Sequence, residues 1–249
     1  MTKIRGVKIV SLIVVLAAAL AALPGTGSAR EAQKGCRAGV LHRVGTDTTA
    51  FAAVVRGKTK AYRHPAGHAL ATFGKLNQNG YPTTFSIVGA VLDARCWATW
   101  YRVKLPMRPN GVVGYVKPHA VTVAKVAARI EVDLSARTLT FFRRGKRVLR
   151  TSVAVGSPST PTPIGRFYVN QRLLPTDPSG PYGPAALGVS AFSDVLTGWA
   201  QGGPIGIHGT NADWSIGRAV SNGCIRVPNA TITRIFARSP GGTPVVIHP

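Results

Sequence analysis

The sequence predicts a mainly β protein built from two successive parts, with one short helix close to its end. Three observations carry this. The 249 residues hold 28 Gly and 18 Pro but only 7% aromatic residues, a balance that favours turns and short strands over long helices. Apolar and β-branched runs recur between turn signals along most of the chain. One late segment shows a helical stripe, with Ile232, Ile235 and Phe236 spaced i, i+3, i+4.

The first 29 residues read as a signal peptide. Lys3, Arg5 and Lys8 form a positive start, Ile9 to Leu23 is apolar, and Pro24-Gly25 followed by Gly27-Ser28-Ala29 supplies a break and a small-residue cleavage site. The run is short for a membrane span, which needs about 20 residues; an uncleaved N-terminal anchor is the alternative. The expected location is secreted, in the cell wall or at the outer face of the membrane.

Residues 30–125 read as a small β domain. Val54-Val55, Thr84 to Val88, Ala90 to Leu92, Trp97 to Leu105 and Val112 to Val116 are strand-like, and Pro109-Asn110-Gly111 marks a turn. Trp97, Trp100, Tyr101 and Tyr115 are expected as core and cross-strand packing. The stretch from Trp100 to Pro106 with Asn110 to Val116 resembles bacterial SH3-like domains, which implies a small barrel. Val121 to Ala128 is read as a partly extended linker.

Residues 126–249 form the second part. Arg129 to Leu134 alternates, placing Arg129, Glu131 and Asp133 on a solvent-facing side rather than as an acid–base pair. Thr138 to Phe142 and Val148 to Val155 continue an antiparallel meander across the basic tip Arg143 to Arg147. The prolines of Gly156 to Pro163 exclude a helix. Residues 171–203 are rich in Pro and Gly and show no clear element, a length that is usually functional. Val227-Pro228 fits the start of the helix, and Thr243 to His248 a final strand.

The chemistry concentrates in residues 205–226. His208 ends a short apolar run. Cys224 sits in Ser221-Asn222-Gly223-Cys224-Ile225-Arg226, a polar neighbourhood that is unusual for an inert core thiol. A thiol attacks as thiolate and an imidazole can take its proton, while a lone cysteine is ordinarily a small buried apolar residue. His208-Gly209-Thr210-Asn211, a spacer, then Ser221 to Arg226 resembles the signature of the L,D-transpeptidase catalytic domain, whose pattern is His-Gly followed by Ser/Thr-x-Gly-Cys-Ile/Val-Arg. Asn222 stands where many members carry His. Thr162-Pro163-Ile164-Gly165-Arg166-Phe167 resembles the family segment that borders its substrate cleft.

The resemblance implies a β-sandwich-like fold with one short helix after the cysteine. It implies Cys224 as nucleophile and His208 as general base and acid, oriented by the Gly209 carbonyl. The backbone N–H groups of Asn222, Gly223 and Cys224 would form the oxyanion hole. Arg226, Ser221, Thr210 and Asn211 would support the site or touch substrate, and residues 171–203 would form a lid that Tyr182, Phe192 and Trp199 line or pin. The implied reaction is 3→3 cross-linking of peptidoglycan stem peptides through a Cys thioester, with carbapenem sensitivity. An L,D-carboxypeptidase using the same site and a non-catalytic wall-binding protein are the alternatives.

Lys and Arg outnumber Asp and Glu 31 to 8, for a net charge of +23. Removing Lys3, Arg5 and Lys8 with the signal leaves 23 − 3 = +20. Such a charge implies an anionic partner; secretion argues against nucleic acid and for wall polymers or a membrane surface. Three cysteines suggest one Cys36–Cys96 disulfide and a free Cys224, with two separate reduced core thiols as the alternative. No cofactor is expected. Close metal-ligand spacing is missing: His64 and His68 are four apart, but Pro65 and Gly67 oppose a helix that would present both. A monomer is expected.

Overall fold

Two eight-stranded sheets follow one another along the chain. The structure, a computed structural model, describes residues 36–199 and 203–249. The signal-peptide reading of residues 1–29 lies outside the described residues. Residues Cys36–Pro249 form one compact unit.

The first sheet contains β1 (Leu41–Arg43), β2 (Ala50–Val55), β3 (Thr59–Tyr62), β4 (Ala69–Phe73), β5 (Thr84–Leu92), β6 (Ala98–Lys104), β7 (Val113–Val116) and β8 (Val121–Val126). All pairings are antiparallel, in the order β4-β3-β7-β6-β5-β2-β8, with β1 also on β5. Phe85, Ile87, Val103, Leu105 and Val116 fill its core. Alternation places these on one face, because successive side chains of a strand point to opposite faces. Cys36 and Cys96 are joined by a disulfide that ties the start of this region to the β5–β6 turn.

Two expectations for this region need correcting. Val121 to Val126 is not a linker: β8 pairs with β2 along its full length, from Ala50↔Val126 to Val55↔Val121. Its two buried ends, Val121 and Val126, hold it in place although the middle is solvated. Trp97 is 73% exposed beside the β5–β6 turn, whereas Trp100 is buried and meets Tyr62 edge-on at 5.4 Å.

The second sheet contains β9 (Ala128–Asp133), β10 (Thr138–Arg143), β11 (Lys146–Ser152), β13 (Gly165–Leu173), β14 (Ala186–Phe192), β15 (Pro204–His208), β17 (Ile225–Arg226) and β18 (Pro244–His248), in the order β11-β10-β9-β18-β13-β14-β15-β17. A small parallel pair joins β12 (Val155–Gly156) to β16 (Ala219–Ser221). The single described α-helix, α1 (Asn229–Phe236), starts one residue after Pro228 and buries Ile232 and Ile235. β14 corrects the reading of residues 171–203 as free of elements, since Leu187 to Ala191 are buried in mid-sheet. Most of the Gly and Pro residues flank this strand, and Gly188 is the one that lies within it.

β13 is the hinge of the sheet. Its first residues, Gly165 to Tyr168, pair with β18, and Val169 to Leu173 pair with β14. The sheet therefore divides into two halves around a core of Ile130, Leu139, Phe141, Val169, Leu187, Ile207, Ile225 and Ile247, with α1 packed against it. A register shift between Val169 and Gln171 marks a β-bulge at Asn170. Bulges turn side chains to the other face, and this one bears on the cleft described below.

Candidate active site

β15 and β17 run parallel, with Ile207 opposite Ile225 and His208 opposite Arg226. This pairing brings together residues 16 positions apart in sequence, so that His208 and Cys224 line one cleft of about 670 Å³. Ile207 and Ile225 are fully buried and anchor the two strands in the core, which fixes the residues at their ends.

His208 is 4% exposed. Its Nδ1–H donates to the Gly209 carbonyl at 2.5 Å, which leaves Nε2 as the acceptor nitrogen. Burial pushes the imidazole down to about 4; the Gly209 carbonyl opposes this, and the Arg226 charge adds to it. Cys224 is half-buried and is the free cysteine. Burial pushes its thiol up, opposed by the Gly206 N–H and by the Arg226 charge. Gly206 N–H donates to Cys224 Sγ at 3.4 Å. The resting pair is thus a neutral thiol and a neutral imidazole, because the site is too dry to favour either charge.

The cysteine loop is fastened by hydroxyls. Ser221 Oγ donates to the Cys224 carbonyl at 2.6 Å and accepts from Gly223 N–H at 3.1 Å. Thr162 Oγ1 donates to the Gly223 carbonyl at 2.9 Å, and Thr160 Oγ1 to the Ser221 carbonyl at 2.9 Å. Gly223 has φ +103, a conformation open to glycine and strained for other residues. Of the three N–H groups read as oxyanion donors, that of Gly223 is already engaged by Ser221. Those of Asn222 and Cys224 make no hydrogen bond among the described residues.

Arg226 bears on the site through both its backbone and its charge. Its backbone bonds to Ala154 in both directions, and its side chain acts on His208 and Cys224 by charge. Thr210 is buried outside the cleft lining: its N–H and carbonyl are clasped by the Asn229 side chain at 2.8 and 2.9 Å. Asn211 is exposed and also outside that lining. Gly209 has room only for hydrogen, since a Cβ there would collide with Asn229 Oδ1.

The cleft wall brings further residues. Tyr182 stands edge-on over the His208 ring at 5.0 Å, and Trp199 lines the mouth. Phe192 lies away from this cleft, with the Arg108 guanidinium 5.5 Å from its ring centre. Asn79 and Tyr81, from the turn between β4 and β5 of the first sheet, line the cleft together with Gln171. Thr160, Gly206, Gln171, Asn229 and the Asn79–Tyr81 turn carry no sequence signal that marks them as site residues. Thr162 is the exception, since it opens the Thr162 to Phe167 segment whose resemblance points to the cleft.

A dry cleft that joins a thiol to an imidazole held through Nδ1 can support acyl transfer. Residues 127–247 match the family model described as YkuD, the L,D-transpeptidase catalytic domain. This half of the chain is therefore similar to the L,D-transpeptidase catalytic domain. A Bacillus licheniformis protein named as the L,D-transpeptidase YkuD is 39% identical over 121 residues, covering 49% of this chain and 66% of its own length. Its Bacillus subtilis namesake is 39% identical over 120 residues, covering 48% and 65%. The chain thus spans just under two thirds of the length of these relatives. A crystal structure of an Enterococcus faecium L,D-transpeptidase cysteine-to-serine mutant is 29% identical, covers 49% of each chain and has a TM-score of 0.37.

Proposed function

We propose that the protein is a secreted L,D-transpeptidase that forms 3→3 cross-links between peptidoglycan stem peptides. The observation that carries this is the shared cleft of His208 and Cys224, with Nδ1–H bonded to the Gly209 carbonyl and Nε2 left as the base. Cys224 Sγ attacks the carbonyl of the third residue of a donor stem, a diamino acid bonded to D-alanine. Because the resting thiol and imidazole are both neutral, attack is coupled to transfer of the thiol proton to His208 Nε2. The tetrahedral oxyanion is received by the Asn222 and Cys224 N–H groups, and one such donor is worth about 3 kcal/mol.

Collapse breaks the bond to D-alanine, whose amine leaves with the proton from His208. The thioester remains on Cys224. The side-chain amine of a second stem then attacks it, gives a proton to His208 and releases the thiol, which recovers that proton. Gly209 orients the base, Ser221 shapes the loop, and Arg226 favours thiolate as the proton moves. The signal peptide and a mature charge of +20 support action outside the membrane on an anionic wall or membrane surface.

The test is mass spectrometry of the mature protein with a disaccharide tetrapeptide, with and without a second stem as acceptor. A cross-linked dimer lacking one D-alanine is the expected product. Tripeptide alone would identify an L,D-carboxypeptidase. No reaction, with Cys224 also unmodified by a carbapenem, would return the chain to the wall-binding reading. Cys224→Ala should fold and be inactive.

A further inference from the structure

The first sheet reaches into the cleft through the turn that holds Asn77, Asn79 and Tyr81, and the bonds there set the direction of one side chain. Asn77 Oδ1 accepts the backbone N–H groups of Asn79 and Tyr81 at 2.9 and 3.0 Å. A backbone N–H can only donate, so this side of the Asn77 amide must be its oxygen. Its Nδ2 then faces the second sheet, where it donates to Gln171 Oε1 at 2.9 Å; Asn79 Nδ2 donates to the same oxygen at 3.0 Å. With Oε1 turned toward two donors, the Gln171 NH₂ must point the other way. It makes no hydrogen bond among the described residues.

That other way leads to the cysteine. Val169 packs in the core against Val189, and strict alternation would send Gln171 inward with it. The bulge at Asn170 places Gln171 opposite Gly188 instead, on the outer face of the sheet. Gly188 is in turn opposite Gly206, whose N–H donates to Cys224 Sγ. Gln171, Gly188 and Gly206 thus form one cross-strand row, with two strand spacings, about 10 Å, between its ends. Both positions after Gln171 are glycine, so no side chain of this row stands between its amide and the thiol. A Cβ on Gly188 would collide with the Gln171 side chain.

We propose that Gln171 is a substrate-binding residue whose Nε2–H₂ donates to a peptide carbonyl oxygen of the stem lying along the Gly188–Gly206 trough. The proposal rests on the transpeptidase reading for the identity of the peptide. The first sheet serves this subsite by fixing the amide through Asn77 and Asn79, so that no rotation is lost when the ligand binds.

The test uses Gln171→Glu in the mature chain. Glutamate keeps the acceptor for Asn77 and Asn79 but turns an acceptor oxygen toward the ligand in place of the donor. Gln171→Leu removes both. Affinity is read by calorimetric titration of disaccharide tetrapeptide into each variant on a Cys224→Ala background, where chemistry is silent. Loss of one oriented donor should weaken binding about tenfold in both variants. Cys224 alkylation by iodoacetamide, followed with the thiol restored, should stay at the wild-type rate. An affinity within twofold of the parent for Gln171→Glu would overturn the proposal, whatever Gln171→Leu does, because the clamp alone would then explain the residue. Absence of any binding to the parent would overturn it as well. Binding that depends on Gln171 without thioester formation in the wild type would refute the reaction and leave the subsite standing.

Discussion

Thr162→Val removes the fastening of the cysteine loop at one point while keeping the side-chain shape. Thr162 is 4% exposed. Its hydroxyl donates to the Gly223 carbonyl and accepts the Gly156 N–H, each at 2.9 Å. Valine would leave both backbone groups unpaired, next to a core that admits little water. An unpaired buried group costs about 1–3 kcal/mol, so the expected loss is about 2–4 kcal/mol. For a chain of this size 1 kcal/mol shifts Tm by roughly 2–4 °C, which gives a fall of about 4–16 °C in calorimetry. The effect should reach the chemistry, because Gly223 precedes the thiol and a 1 Å displacement of a reacting group can cost about a hundredfold. The rate of acylation by tetrapeptide should drop about 10- to 100-fold with little change in KM. Thr162→Ser, which retains the hydroxyl, should recover most of both. A Thr162→Val protein with stability within about 0.5 kcal/mol of wild type and an unchanged acylation rate would show that the hydroxyl does not hold the loop.

Three further outcomes are expected. The His208 imidazole titrates near 4 in the folded protein, against 6.5 for an unperturbed histidine such as the unfolded chain presents, so the unfolded chain binds more protons between these values and stability must fall as pH drops through that window. The contribution at pH 4.5 is about 2–3 kcal/mol; denaturant titrations at pH 7 and 4.5 should show that loss in wild type and not in His208→Gln, and equal losses in both would refute a buried neutral base. Breaking the Cys36–Cys96 bond, which spans 60 residues, should cost about 4 kcal/mol by chain entropy, read as a lower unfolding midpoint in Cys36→Ala/Cys96→Ala; a change below about 1 kcal/mol would mean the first sheet holds its ends without it. A carbapenem should add its mass to the wild type and not to Cys224→Ala, and an adduct on the variant would place the reactive group elsewhere.

Much of the second half is legible locally. The alternation of Arg129 to Leu134 gives β9, with Arg129 and Glu131 paired on its outer side at 3.1 Å. The spacing of Ile232 and Ile235 gives the buried face of α1. His208 and Cys224 stand out by residue type and neighbourhood, because reactive side chains and the glycine they need lie within a few positions of each other. The first half is less legible. Val121 to Val126 has no alternation to mark it, and it is a strand because β2 offers it a complete edge.

What the sequence by itself determined is therefore the mainly β class and the late helix, and it singled out His208 and Cys224 as the candidate pair, all of which rest on short-range patterns of side-chain size and polarity. What only the tertiary structure decided is how that pair is held and what surrounds it. Thr162 reaches Gly223 across 61 positions, Asn77 reaches Gln171 across 94, and Asn229 clasps Thr210 across 19. A single hydrogen bond between distant segments leaves no periodic trace in either one. The bulge at Asn170 similarly reverses the faces of a strand through one unpaired residue. Such contacts exist only once the sheets have packed, since it is packing that brings their donors and acceptors within reach and removes the water that would otherwise satisfy them.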